Sequence, residues 1–299
     1  MESGSTTIKV EALGRVEGEG ALHVRVRNGR VEDVRLELYE PPRFFESLLR
    51  GRSYMDPVDI TARICGICPI AYQMSAAAAI EDACGVTVEG AVRDLRRLIY
   101  CGEWIESHAL HIYMLHAPDF LGYDSAIAMA GDHADAVKAG LTLKKAGNRI
   151  VEVVGGRAVH PVNPRVGGFH RVPTREELQP LVEPLERAYE IARETVRWTA
   201  GFTFPDYEVD VELVSLWHPE EYPMLGDRIV STGGLDIPLE QFVDEFREEQ
   251  SGHSTALVSR HHGRPSIVGP LARFALNFEK LSPEVRAEAG AAGIDAGFR

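Results

Sequence analysis

Cysteine is scarce in this 299-residue chain: four occur, Cys65, Cys68, Cys84 and Cys101, and none follows Cys101. So few thiols, all in the first third, argue against a disulfide scaffold and favour metal binding or redox chemistry. Basic residues are outnumbered, 32 Lys and Arg against 45 Asp and Glu for a formal net charge of -13. The surplus of cations that holds a phosphate backbone is therefore missing, and no nucleic acid is expected as a partner. No apolar run approaches the roughly 20 residues that cross a bilayer. Residues Met1 to Thr7 have neither the basic flank nor the apolar core of a secretory signal. The expectation is a protein without a membrane span, located in the cytoplasm. What is present is an ordinary globular composition, 44% hydrophobic and 26% charged, which excludes disorder and collagen-like structure.

The patterning predicts a mainly α (α+β) fold: a helical bundle with an N-terminal β-ribbon and a smaller mixed α/β region after Phe204. Alternation from Ala21 to Leu38 around Asn28-Gly29 predicts a hairpin with a type I′ turn. Pro69 suits a first helical position and Gly85 a terminator, so a helix is expected over Pro69 to Cys84. A second is expected from Ala91 to about His116, ended by Pro118-Asp119, and a third from Asp132 to Val154. Thr174 and Glu177 form a capping box for a fourth, secure from Leu185 to Ala200 after the disturbance of Pro180 and Pro184. Residues 159–173 are too rich in Pro and Gly for anything but an ordered loop. Beyond Phe204 lie short β-like runs at 207–214, 227–231 and 254–259. With no repeat, low-complexity tract or linker, one domain over residues 1–299 is the simplest organisation.

The chemistry concentrates at Arg63-Ile64-Cys65-Gly66-Ile67-Cys68, followed by Pro69. This places Cys68 at the N-cap of a helix, whose dipole favours a thiolate. Gly66 gives the freedom to turn, and two thiolates three residues apart can point at one soft metal ion. Taken alone, such a pair is a thioredoxin-like redox couple, half of a zinc site, or two unrelated core cysteines. The first wants a βαβ context that the hairpin does not provide, and the second wants two more ligands. His108, His111 and His116 read as a packed or surface cluster beside Trp104 and Tyr113, and Cys84 and Cys101 as buried thiols. His253-Ser254 has neither a nucleophile-elbow sequence nor an acid partner.

Four phrases occur in order: Leu13 to Gly20 (LGRVEGEG), Phe45 to Arg52 (FESLLRGR), Arg63 to Pro69 (RICGICP) and Gly155 to Pro161 (GGRAVHP). Together they resemble the large, catalytic subunit of nickel-iron hydrogenases, and Ile64 to Ala76 resembles its cytoplasmic, pyridine-nucleotide-linked bidirectional group. The resemblance implies an oxidoreductase that reversibly converts H2 to protons and electrons. It implies that Cys65 is a terminal nickel ligand and that Cys68 bridges nickel to an iron carrying diatomic ligands. It makes Glu17 a proton-relay carboxyl, Arg63 a partner of the thiolates or iron-bound ligands, and Glu46 a ligand for magnesium. An iron-sulfur small subunit, diaphorase subunits and maturation proteins are the implied partners. His160 matches a loop near the active site. Without the resemblance, Glu17 reads as a strand-end surface group, Glu46 as a solvated helix residue, and Arg63 as a structural partner of Asp56 or Asp59.

Two departures stand out. Tyr72 occupies the position four after the second cysteine, where many members have histidine, and a phenol still donates a hydrogen bond. The second thiolate pair, D-P-C-x-x-C, does not occur, which reads as a large subunit reduced to its N-terminal two-thirds and as a chain inactive alone. A non-catalytic structural or interaction homologue, akin to respiratory-complex relatives, is the alternative, as is an inactive truncated product. No G-x-G-x-x-G opens a helix, so nicotinamide binding is not expected of this subunit. An extensive apolar surface is expected where a small subunit would dock.

Overall fold

The computed structural model describes residues 5–16, 18–40 and 43–297. Two compact units emerge: one gathers the described residues of 1–43, 206–287 and 294–299, the other residues 44–205 and 288–293. The sequence carries no linker signal at these boundaries because the first unit is assembled from segments far apart in the chain.

The first unit opens with β1 (Ser5–Val10), β2 (Gly20–Arg27) and β3 (Arg30–Leu38), an antiparallel sheet in the order β1-β2-β3. The expected hairpin is β2–β3, and Asn28 (φ 52°) and Gly29 (φ 74°) both take the left-handed backbone of a type I′ turn. Strand β1, not expected from the sequence, pairs along β2 from Ser5↔Arg27 to Val10↔Leu22.

In the second unit come α1 (Phe45–Leu49), α2 (Asp56–Thr61) and α3 (Pro69–Cys84), the last closed by Gly85 at φ 66°. Next is α4 (Gly90–Leu110), which runs into a π-helical turn at His111–His116 and on into α5 (Ala117–Leu121). Pro118 therefore does not end the helix, contrary to expectation. Proline lacks the N–H and crowds the preceding turn; here the widened turn, in which the Ala117 N–H reaches the Ile112 carbonyl five residues back, lets the chain continue to Gly122 at φ 79°. Helices α6 (Ala126–Met129) and α7 (Ala134–Gly155) follow, then the minute pair β4 (Pro164–Arg165) and β5 (Gly168–Phe169). The capping box of Thr174 and Glu177 starts α8 (Arg175–Leu178), and α9 (Val182–Ala200) completes the bundle.

The bundle core is Ile70, Met74, Ile99, Ile150, Val151, Val154 and Leu181, drawn from α3, α4, α7 and the segment before α9. Helices α4 and α7 cross at glycines. A Cβ on Gly147 would stand 2.5 Å from the Gly102 carbonyl oxygen and 2.6 Å from the Glu106 nitrogen, so only hydrogen fits.

The first unit resumes with β6 (Glu212–Trp217), β7 (Arg228–Ser231), β8 (Asp236–Pro238), α10 (Phe242–Glu245), β9 (Phe246–Gln250), β10 (Leu257–His261) and β11 (Arg264–Ile267). They form a sheet ordered β8-β7-β6-β11-β10-β9, antiparallel except where β6 runs parallel to β11. Helix α11 (Pro270–Asn277) packs on β6, and the buried Asn277 amide donates to Ser215 Oγ at 3.3 Å and to the Leu216 carbonyl at 3.2 Å. The last helix is α12 (Pro283–Ala291). The fold class is as expected, mainly helical with separate sheets. No helix among the described residues is long and apolar enough to cross a membrane.

Candidate metal centre

Helix α3 begins where the sequence places it, with Pro69 at its first position and Cys68 as N-cap (φ −117°, ψ 37°). The Cys68 side chain makes no capping bond. The orphan amides of the first turn are taken by a carboxylate from another helix. Glu103 of α4 accepts from the Ile70 N–H at 2.5 Å and from the Ala71 N–H at 3.1 Å. Burial pushes the Glu103 carboxyl up to about 7, against the lowering effect of these two amides.

Within the preceding turn, the Ile67 and Cys68 N–H groups both donate to Cys65 Sγ, at 3.4 and 3.3 Å. Such bonds orient a sulfur ligand. Cys65 and Cys68 are thiols, each partly exposed. One loop covers this turn. A Cβ on Gly66 would lie 3.7 Å from Val159 Cγ1 and 3.9 Å from His160 Nε2. The loop is pinned because His160 Nδ1–H donates to the Ala62 carbonyl at 2.6 Å and the fully buried Gln73 amide donates to the Pro161 carbonyl at 2.8 Å. The Gln73 Oε1 beside it is buried without a hydrogen-bond partner. A second tie is the buried pair of Glu81 and Arg96, bidentate at 2.5 and 2.7 Å, in which Glu81 also accepts the Gly167 N–H at 2.6 Å.

Of the residues singled out in the sequence, Cys65 and Cys68 share one turn, and His160 lies against Gly66 between them. Arg63 is exposed just before the turn, and among the described residues no ion pair joins it to Asp56 or Asp59. Glu46 is exposed in the first turn of α1. Glu17 lies outside the described residues. Tyr72, one turn along α3, is 37% exposed. His108 stacks on Trp104 at 6.2 Å, and His111 Nδ1–H donates to the Ser107 carbonyl at 2.7 Å, as expected of packed histidines. Cys84 is exposed at the end of α3, where it was expected to be buried; Cys101 is half-buried, and burial raises its thiol.

Glu103, Gln73, Glu81 and Arg96 were not singled out from the sequence. The signal was there for α4, whose buried face is Arg96, Ile99, Gly102, Glu103, Glu106 and Ala109. Charged residues recurring on an apolar stripe mark groups with buried partners. Glu106, raised by burial, meets Lys144 of α7 at 2.8 Å.

The fold matches an NAD+-reducing NiFe-hydrogenase in its H2-reduced state with a TM-score of 0.82 at 23% identity, over 96% of this chain and 69% of that one. It matches the reduced Ni-Fe-Se hydrogenase of D. vulgaris Hildenborough with a TM-score of 0.75 at 25% identity, over 97% and 70%. In sequence, residues 43–145 match the family described as nickel-dependent hydrogenase. The chain is 39% identical over 277 residues to the sulfhydrogenase 2 alpha subunit of Pyrococcus furiosus, covering 93% of this chain and 65% of that one. It is 32% identical over 276 residues to the sulfhydrogenase 1 alpha subunit of the same organism, covering 92% and 64%. The chain is thus similar to hydrogenase alpha subunits over nearly its whole length, and its match to the nickel-dependent hydrogenase family lies at residues 43–145. It spans 65% and 64% of the length of these two relatives.

Proposed function

We propose that the chain supplies one thiolate pair of a nickel-iron centre in a hydrogenase that reversibly oxidises H2. The observation that carries this reading is the turn at Cys65–Cys68. Its two sulfurs belong to one short loop, and Glu103, not Cys68, caps the helix that follows. Soft sulfur donors three residues apart fit nickel, and they are half of the four thiolates of the family pattern. Cys65 would be a terminal ligand, and Cys68 would bridge to an iron carrying diatomic ligands.

When bound, the metal centre would supply heterolytic cleavage of H2. The chain's own residues do the rest. The Ile67 and Cys68 amides hold the Cys65 sulfur, and the loop through His160 and Pro161 covers the turn. Glu17 is the proposed proton relay and Arg63 the partner of the bound ligands. Glu46 is proposed to hold magnesium, a hard cation suited to a carboxylate. An iron-sulfur small subunit would take the electrons and pass them to diaphorase subunits, with assembly by maturation proteins in the cytoplasm. Apolar side chains such as Ile127 (88% exposed) and Phe44 (71%) are available to such partners.

The test is nickel titration of the reduced 299-residue chain, read as sulfur-to-nickel charge-transfer absorption. Only weak sulfur-ligated nickel binding is expected of this half-site, and it should be lost in both Cys65→Ser and Cys68→Ser. Nickel binding untouched by both substitutions would overturn the reading and favour a non-catalytic homologue.

A further inference from the structure

The six-stranded sheet brings two histidines and a glutamate to one point. Strand β10 ends at His261, and the two-residue turn His262-Gly263, with φ of 47° and 78°, returns the chain into β11. Helix α10 ends at Glu245, immediately before β9 begins, and β9 pairs with β10 through Phe246↔His261. Both imidazoles converge on the same carboxylate oxygen. Glu245 Oε2 lies 2.7 Å from His262 Nε2 and 3.6 Å from His261 Nε2. One donor atom from each of the three side chains falls within 4.8 Å of the others.

His261 is 9% exposed, and its Nε2 is buried with no hydrogen-bond partner. The other ring nitrogen is committed, since Nδ1–H donates to Glu212 Oε2 at 2.8 Å. By accepting from Nδ1–H, Glu212 fixes the His261 tautomer and leaves the Nε2 lone pair bare on the side of Glu245 and His262. A carboxylate behind a histidine is the usual support of a metal-ligating imidazole. An orphan lone pair in a buried position otherwise costs desolvation with no return.

We propose that Glu245, His261 and His262 bind a divalent transition-metal ion of the zinc class. Two imidazoles and a carboxylate suit such an ion, with water as fourth ligand. Tetrahedral bonds of zinc length place neighbouring ligand atoms about 3.3 Å apart, and the observed 2.7 and 3.6 Å lie on either side of that spacing. Glu212 and Glu245 together balance a dication. The ion can enter from the side of His262, whose side chain is 68% exposed, and of Glu245, 27% exposed. Bound there, it would tie the end of α10 to the β10–β11 turn.

The test uses the 299-residue chain with Cys65 and Cys68 both replaced by serine, which removes the competing thiolate pair, and with zinc and cobalt(II) as probes. Equilibrium dialysis is expected to show one zinc equivalent. Cobalt should give the d–d bands of a nitrogen- and oxygen-ligated ion without sulfur charge transfer. At 100-fold excess over Kd, zinc should raise Tm by about 5 °C or more. His262→Asn is the informative variant, because asparagine tolerates a positive φ and the site is an exposed turn; it should weaken zinc binding at least 30-fold at unchanged circular dichroism, and Glu245→Gln should do the same. If the serine double variant is unfolded by circular dichroism, the cobalt spectrum of the unsubstituted chain, compared with and without His262→Asn, is decisive. Absence of saturable binding, or equal affinity in His262→Asn, overturns the proposal.

Discussion

The carboxylate of Glu103 sits 2.5 Å from the backbone nitrogen of Ile70, so one helix of the bundle caps another at the turn that holds the cysteine pair. Glu103 is only 4% exposed, and its elevated carboxyl gives the fold a distinctive dependence on pH.

Because the folded-state value of Glu103, about 7, stands above the reference 4.5, the folded protein holds a proton that the unfolded chain has released between these values. Stability from this group is therefore full below pH 4.5 and lost as pH rises toward 7, by about 3 kcal/mol. Urea denaturation across that range should show the decline, and Glu103→Gln should flatten it. An unchanged slope in the variant would mean another group is responsible.

Arg96→Leu should destabilise the protein by about 3–5 kcal/mol, because it strands the buried Glu81 carboxylate. Adding Glu81→Leu to it should recover most of that loss. The comparison is a denaturant midpoint series on the two variants; a double variant no more stable than the single one would contradict the prediction.

Gly147→Ala should cost at least about 2 kcal/mol despite alanine's better helix propensity, since the new methyl meets backbone atoms that cannot move aside. Gly290→Ala is the control, in α12, where no atom lies within 4 Å of the added Cβ. That change should gain up to about 1 kcal/mol. Thermal melts of the two variants, moving in opposite directions, check both.

The 299-residue chain by itself should show no hydrogen–tritium exchange above background, since two thiolates supply only half the sulfur of the proposed centre. Exchange at the level of a chain extended with a second cysteine pair would defeat the half-site argument.

Local chemistry made much of this molecule legible in advance. Asn28-Gly29 fixes its own hairpin, Pro69 and Gly85 delimit α3, and Thr174 with Glu177 cap α8, each within a few residues. The position of Cys68 followed from the same rules. What stayed hidden depends on partners distant in sequence. Glu103 finds Ile70 across 33 residues, Gln73 finds Pro161 across 88, and β6 lies beside β11. Periodicity reveals which face is buried but not what meets it there. His261 is an example: nothing around it in sequence marks it as a residue that needs Glu212, 49 positions away.

The widened turn at His111–His116 also sets a heading. Each α-helical residue advances about 100° around the axis, and a π turn accommodates an additional residue without breaking the rod. Every side chain beyond it therefore comes round in a direction that an unbroken helix of this sequence would not give. Phe120 is one of them, stacked on Phe202 at 5.1 Å and tilted against Phe204 at 4.9 Å. The aromatic clasp that receives the chain leaving α9 is thus aimed from one turn upstream. Removing a single residue between His111 and His116 would leave a continuous rod whose far end is rotated away from its partners.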